Sequence, residues 1–233
     1  MRTQQARTEG SRARRWMVER QIASRGVRAE NILDAMRTVP REVFLPPDLA
    51  PFAYEDRPLP IGEGQTISQP FIVALMAEAA LLRPDDRVLE VGTGSGYAAA
   101  VFSRAAAEVF TVERHASLAE EARARFDALG YDNIDVAVRD GTLGWPEHAP
   151  YDAIIVAAGG PGRIPPPLLD QLAPGGRLVI PRGDTLEGQE LVRVRRSEDG
   201  DLLDEESLGP VRFVPLVGAA GWTPDGQVAP PGS

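Results

Sequence analysis

The sequence predicts an α/β fold: a doubly wound, mostly parallel sheet with added N-terminal helices and an antiparallel C-terminal edge. Three observations carry this. Short apolar strands alternate with helical segments from Pro70 to Ile180, and one strand runs directly into the glycine-rich turn Gly92-Thr-Gly-Ser-Gly96. Beyond Gly188 the alternation gives way to consecutive strands. Alternation demands a parallel sheet covered on both faces, and consecutive strands favour antiparallel pairing.

From Ser11 to Arg25, Trp16, Met17, Val18 and Ile22 stand among arginines and glutamates, which predicts an amphipathic helix stopped by Gly26. A short helix from Glu30 to Val39 follows and ends at Pro40. Residues 40–69 are rich in proline and glycine, yet Phe44, Leu45, Phe52, Tyr54, Leu59 and Ile61 are too apolar to be left in water. An ordered loop of functional type is expected there. Pro70 opens a helix to about Leu82. Strands are expected at Arg87–Val91, Val109–Val112, Ile134–Val138, Ala153–Ala157 and Arg177–Ile180. Helices are expected at Tyr97–Ala107, Ser117–Leu129 and Pro167–Leu172. The last two strands are placed at Glu190–Arg195 and Val211–Val217, around a turn at Glu198–Asp201.

The chain's 233 residues suit one main domain. The expected division is a basic arm at 1–15 whose order the sequence leaves open, one domain at 16–218, and a disordered Pro/Gly-rich tail at 219–233. Within the domain, 16–69 holds the N-terminal helices and substrate loop, 70–183 the cofactor-binding core and 184–218 the C-terminal strands. There is no cysteine and there are only two histidines, which excludes thiolate chemistry and leaves no basis for a metal centre or a serine–histidine hydrolase. A net charge of −9 argues against a nucleic-acid surface, although residues 1–28 carry eight arginines against Glu9 and Glu19. Those arginines read as a solvated helix face. No apolar run suits a membrane span or a secretory leader, so a cytoplasmic protein is expected.

The stretch Val88-Leu-Glu-Val-Gly-Thr-Gly-Ser-Gly-Tyr97 is a strand, a glycine turn and a helix start, where doubly wound, Rossmann-like sheets bind ligands. Its third glycine comes one residue earlier than in a dinucleotide fingerprint, and Glu90 precedes the turn; a carboxylate there suits a cationic amino-acid ligand better than a pyrophosphate. Glu113 ends the next strand, placed to accept from ribose hydroxyls, and Asp140 with Gly141 ends the third, placed to meet an adenine amino group and ring nitrogen. With Thr93, Ser95 and Ala157 these residues make up the expected cofactor set. Together they resemble the S-adenosylmethionine site of class I methyltransferases.

The segment Pro58-Leu-Pro-Ile-Gly-Glu-Gly-Gln-Thr-Ile-Ser-Gln-Pro70 resembles the signature of protein-L-isoaspartate O-methyltransferases, and the resemblance runs from about Met17 to Val217. Val39-Pro-Arg-Glu-Val-Phe44, Tyr151-Asp-Ala-Ile-Ile-Val156 and Val211-Arg-Phe-Val-Pro-Leu216 extend it. It implies methyl transfer from S-adenosylmethionine to the carboxylate of isoaspartyl residues in damaged proteins and peptides, with S-adenosylhomocysteine as product. Ser68 then matches the active-site serine, read as a hydroxyl donor to the substrate carboxylate. Thr66 and Ile67 would line the same wall, Gln69 would meet peptide backbone, and Phe213 and Val214 would lie on an edge strand that pairs with the substrate. A monomer acting on isoaspartyl proteins, without nucleic acid, membrane or metal, is the resulting expectation.

Ser68 alone could equally cap the helix at Pro70. A carboxyl methyltransferase dedicated to one peptide shares every cofactor motif, and a non-catalytic binding protein on the same scaffold remains open. A nicotinamide oxidoreductase is disfavoured by the glycine spacing. A DNA adenine methyltransferase is disfavoured because Gly159-Gly-Pro-Gly162 replaces the acidic or amide, double-proline and aromatic motif it needs.

Overall fold

A computed structural model describes residues 2–185, 187–200 and 203–229, with residues 2–9 followed by their backbone alone. Helix α1 (Arg2–Met17) continues through a π-helical turn at Val18–Ile22 and a 3-10 turn at Ala23–Arg25. It closes at Gly26, whose φ of 110° is the left-handed cap the sequence predicts. Met17, Val18 and Ile22 are fully buried, whereas Trp16, grouped with them by pattern, lies on a neighbouring face and is exposed. Helix α2 (Glu30–Thr38) buries Ile32, Leu33 and Met36 as expected.

The loop from Pro40 to Gln69 is ordered. It contains 3-10 turns at Arg41–Phe44 and Ala50–Phe52 and an antiparallel pair, β1 (Leu59–Pro60) and β2 (Thr66–Ile67). Phe44, Leu45, Ala53, Leu59 and Ile67 anchor it in the core. Arg41 is buried as well; its Nε donates to Ala53 O at 2.8 Å and its guanidinium lies 4.7 Å from the Tyr97 ring centroid. Burial lowers the Arg41 pKa to about 10, with Tyr97 opposing the shift.

The core follows as α3 (Pro70–Ala79), β3 (Arg87–Val91), α4 (Tyr97–Phe102), β4 (Glu108–Glu113), α5 (Ala116–Leu129), β5 (Ile134–Val138), β6 (Tyr151–Val156), β7 (Gly160–Pro161), α6 (Pro166–Asp170), β8 (Leu172–Gly183), β9 (Gln189–Arg196) and β10 (Leu203–Val211). The main sheet has the order β10-β9-β8-β6-β3-β4-β5, with β7 paired beside β8. β8, β6, β3, β4 and β5 run parallel; β9 and β10 are antiparallel. The order turns back between β3 and β6, so the carboxyl ends of these strands form the crevice where such sheets take ligands.

Alternate residues of each strand serve opposite layers. Val88, Val109, Ala153 and Ile155 face α2, α3 and α4, while Leu89, Val91, Phe110, Ile154 and Val156 face Leu168, Tyr151 and Trp145. The second layer is thin: the short α6 and 3-10 turns at Gly141–Leu143 and Pro146–His148 cover it, together with Ile164 and Leu216.

Two C-terminal expectations are corrected. The strand that pairs with β9 is Leu203–Val211, not Val211–Val217. It is an edge strand whose Asp204, Glu205 and Glu206 are all exposed, so it lacks the apolar alternation that marks a half-buried strand. Ion pairs from Arg182 to Glu205 and from Arg193 to Glu206 hold it, and it bulges between Ser207 and Gly209. Residues 212–217 instead follow Gly159: Gly159 N donates to Val214 O at 2.7 Å and Leu216 N to Gly159 O at 2.8 Å. The tail was expected to be disordered from residue 219, but through Ala229 it lies on the domain. Trp222 is buried, its indole N–H donates to Gly159 O at 2.9 Å and its backbone N–H to Leu216 O at 2.8 Å. An aromatic ring with a satisfied polar edge is enough to dock a segment that otherwise looks like coil. Residues 230–233 of the expected tail lie outside the described residues.

Candidate active site

The crevice holds a cavity of about 330 Å³. The β3–α4 loop forms its floor through Gly92, Thr93, Gly94 and Ser95. Gly96 stands behind these: its φ is 91°, and a Cβ there would come within 2.7 Å of the Phe126 ring, so no side chain fits between the loop and α5. Gly141 has the same kind of role opposite, where a Cβ would meet Val91 Cγ1 at 2.4 Å, and it does line the cavity. Ala157 closes the wall after β6, its N–H donating to Val91 O at 2.8 Å.

Glu113 reaches the cavity as expected and is nearly buried. One carboxylate oxygen accepts from Gly94 N at 2.9 Å and the other from His115 N at 3.0 Å, so it ties the glycine loop to the end of β4 and retains acceptor capacity toward the cavity. Neighbouring Arg114 and His115 also line the cavity. Sequence reasoning did not single them out, although their place directly after a strand-end acid was a usable signal.

Two residues of the expected cofactor set do not line this cavity. Glu90 does not line the cavity; it is fully buried beneath the loop. Its Oε2 accepts from Thr111 Oγ1 at 2.5 Å, and Thr111 shares a 2.7 Å hydrogen bond with Thr93, the residue that faces the cavity. Burial raises the Glu90 pKa to about 8, against the opposing Thr111 bond, and its Oε1 has no partner among the described residues. The sequence reading placed it at the ligand because strand alternation alone does not say how far a side chain sits below a glycine turn.

Asp140 likewise falls outside this cavity. Its Oδ1 accepts from Thr142 N at 2.9 Å and Thr142 Oγ1 at 2.7 Å, and Oδ2 accepts from Ala219 N at 2.7 Å. It holds the C-terminal tail, a partner no local pattern announces. Pro224 of that tail lines the cavity.

A second, wider groove of about 1060 Å³ adjoins the first. It is walled by the start of α3, by β10 and its continuation to Pro215, and by Arg25. Gln69 and Phe213 line only this groove, and Ile67 lines only the smaller cavity. Thr66, Ser68, Ala157, Val214 and Pro215 line both. Ser68 therefore sits where the two spaces meet. It is partly exposed and makes no hydrogen bond with another described residue, so it does not cap α3.

The expectation that Phe213 and Val214 belong to an edge strand open to substrate is corrected for Phe213. Its N–H donates to Gln189 Oε1 at 2.7 Å and its carbonyl accepts from Gln189 Nε2 at 3.1 Å. The edge that borders the groove is β10, with Leu208 to Val211 on its wall. Arg25 and β10 were missed because they lie far in sequence from any recognisable motif.

Among the described residues no group of three or more His, Cys, Asp or Glu is arranged to hold a metal ion. The family model for protein-L-isoaspartate(D-aspartate) O-methyltransferase matches residues 12–221. A protein-L-isoaspartate O-methyltransferase of Protochlamydia amoebophila is 59% identical over 206 residues, which cover 88% of this chain and 97% of that protein. One from Rhodopseudomonas palustris is 58% identical and covers 88% and 94%. Among solved structures, a protein-L-isoaspartate O-methyltransferase superposes with a TM-score of 0.75 at 32% identity, covering 88% of this chain and 65% of the other. A Plasmodium falciparum protein described as a putative protein-L-isoaspartate O-methyltransferase, in complex with S-adenosyl-L-homocysteine, gives 0.73 at 25% identity, covering 86% and 96%.

Proposed function

The chain belongs to the protein-L-isoaspartate(D-aspartate) O-methyltransferase family, and on that premise we propose how its own residues carry the reaction. It is a class I methyltransferase that uses S-adenosylmethionine to esterify the free carboxylate of isoaspartyl residues in proteins, leaving S-adenosylhomocysteine. The ester then collapses to a succinimide, which reopens in part as normal aspartate. When bound, S-adenosylmethionine supplies an electrophilic methyl group on a sulfonium centre.

The donor set fits that cofactor. Glu113 offers carboxylate oxygens suited to ribose hydroxyls, Gly141 a backbone amide for the adenine ring, and Gly92 to Ser95 a surface bare enough for close approach. Glu90 acts from below, through Thr111 and Thr93, as a support for the loop.

A carboxylate nucleophile is ionised near neutral pH and needs no general base, so the site works without cysteine and without calling on His115 as a base. The protein's task is to orient. The single observation that carries this reading is the uncommitted Ser68 hydroxyl at the junction of cavity and groove. Ser68 Oγ–H donates to one oxygen of the substrate carboxylate and leaves the other directed at the cavity. Such positioning is worth on the order of 7 to 11 kcal/mol in well-aligned intramolecular reactions. Thr66, Ile67 and Val214 keep water from the junction; Gln69 and Phe213 hold flanking peptide in the groove.

The same reading treats 16–218 as one methyltransferase domain, preceded by the basic arm and followed by the tail. We further propose a cytoplasmic monomer that binds neither nucleic acid nor membrane. The net charge of −9 speaks against a nucleic-acid surface, and among the described residues no helix is long and apolar enough to cross a membrane. The experiment is methyl transfer from labelled S-adenosylmethionine to matched peptides with L-isoaspartate or aspartate at one position. Base-labile label on the isoaspartyl peptide alone is the expected result; equal labelling of both, or of neither, would overturn the substrate assignment.

A further inference from the structure

Helix α3 starts at Pro70 with Gln69 in the N-cap position, and Gln69 makes no side-chain cap bond. The next amide, Phe71 N–H, donates instead to Asp56 Oδ1 at 3.1 Å, a residue 15 positions earlier. Oδ2 of the same carboxylate accepts from Gln69 Nε2 at 2.7 Å and from Arg25 Nη1 at 2.6 Å. Asp56 thus grips the chain on both sides of Pro70. The Arg25 guanidinium in turn lies 3.6 Å from the Phe71 ring centroid. Arg25, Gln69 and Phe71 all line the groove that meets the cofactor cavity at Ser68.

A helix start has free amides and a favourable field for an anion, and a nearby serine hydroxyl is an ordinary acceptor for them. Here a carboxylate from another part of the chain takes that place. The Asp56 side chain is only 19% exposed, so its bonds are partly shielded from water. Ser68, one residue before the N-cap, is relieved of any capping role, and its backbone is held by the bonds on the two residues flanking Pro70.

We propose that Asp56 is a positioning residue for methyl transfer: by capping α3 and fixing Gln69 it holds Ser68 at the junction with its hydroxyl free for the substrate carboxylate. Asp56 does not touch the reacting atoms; it acts through Ser68. The inference rests on the Ser68 reading given above.

The test is steady-state turnover of an isoaspartyl peptide, with S-adenosylhomocysteine affinity measured in parallel, for Asp56→Ala, Asp56→Asn, Ser68→Ala and the Asp56→Ala/Ser68→Ala double variant. Asp56→Ala should lower kcat about tenfold, the scale of one lost hydrogen bond to a charged group, while cofactor affinity stays within about twofold. Asp56→Asn retains an acceptor for Phe71 N–H and should recover most of kcat. In the Ser68→Ala background the Asp56→Ala penalty should vanish, since residues acting as one unit are not additive. Full turnover in Asp56→Ala, no recovery in Asp56→Asn, or an undiminished penalty in the double variant would each overturn the proposal. A wild-type protein inert toward the isoaspartyl peptide would remove the Ser68 reading, and this inference with it.

Discussion

The two spaces that meet at Ser68 are built in different ways. The cofactor cavity is small, and its floor comes from contiguous residues at strand ends, Gly92 to Ser95, with Glu113 and Gly141 from the next two strands. The groove is about three times larger, and its walls come from the end of the first helical run, the turn into α3 and the distant edge strand β10. A cavity made of strand ends inherits its shape from the sheet and leaves little for side chains to adjust. A groove made of separate segments takes its shape from how those segments pack, so side chains there can tune affinity for a peptide without disturbing the sheet.

That difference yields graded expectations. Gly96→Ala should have the largest effect: a left-handed backbone position and a clash with Phe126 together cost on the order of 3 kcal/mol, read as a lower Tm accompanied by weaker S-adenosylhomocysteine binding. Unchanged stability would mean that the loop is softer than the sheet that carries it. Ser68→Ala removes the shared hydroxyl, so turnover should drop roughly 10- to 100-fold with cofactor affinity intact, the range for a hydrogen bond to a charged partner. If cofactor affinity fell with it, Ser68 would belong to the cavity rather than to the junction.

Phe213→Ala, on the groove alone, should raise the peptide KM by about three- to tenfold through lost apolar contact and leave kcat and cofactor binding in place. A loss of kcat would show that the groove and the cavity are less separable than their linings suggest. The last expectation concerns Glu90 and is read in pH dependence, not in turnover. Its pKa rises from the usual 4.5 to about 8 in the folded protein, so between those values the folded state binds more proton than the unfolded state. Stability therefore declines as pH rises through this window and levels off above it. Glu90→Gln should flatten that slope, and Tm measured across pH for both proteins checks it; parallel profiles would show that Glu90 is ionised in the fold.

Local signals foretold one of these spaces better than the other. The glycine loop and Glu113 were legible because their roles depend on neighbours within a strand and its following turn. The Gln-Thr-Ile-Ser-Gln-Pro segment stood out only through its resemblance to a family, since as bare chemistry Ser68 fitted a helix cap equally well. Glu90 and Asp140 were legible as acids before the turn and at a strand end, but the residues that hold them come from elsewhere: Thr111 on the adjacent strand, and Ala219 on the tail.

The sequence by itself determined the order of strands and helices from α3 to β6, the glycine turn and the acids at strand ends, because each follows from spacing and backbone sterics within a few residues. Only the tertiary structure decided that the exposed acidic run Leu203–Val211 is the sheet's edge, that Trp222 docks the tail beside the cofactor cavity, and that Asp56 caps α3 in place of Ser68. Those outcomes depend on contacts between residues far apart in the chain. Their free energies exist only once the sheet has brought the partners together.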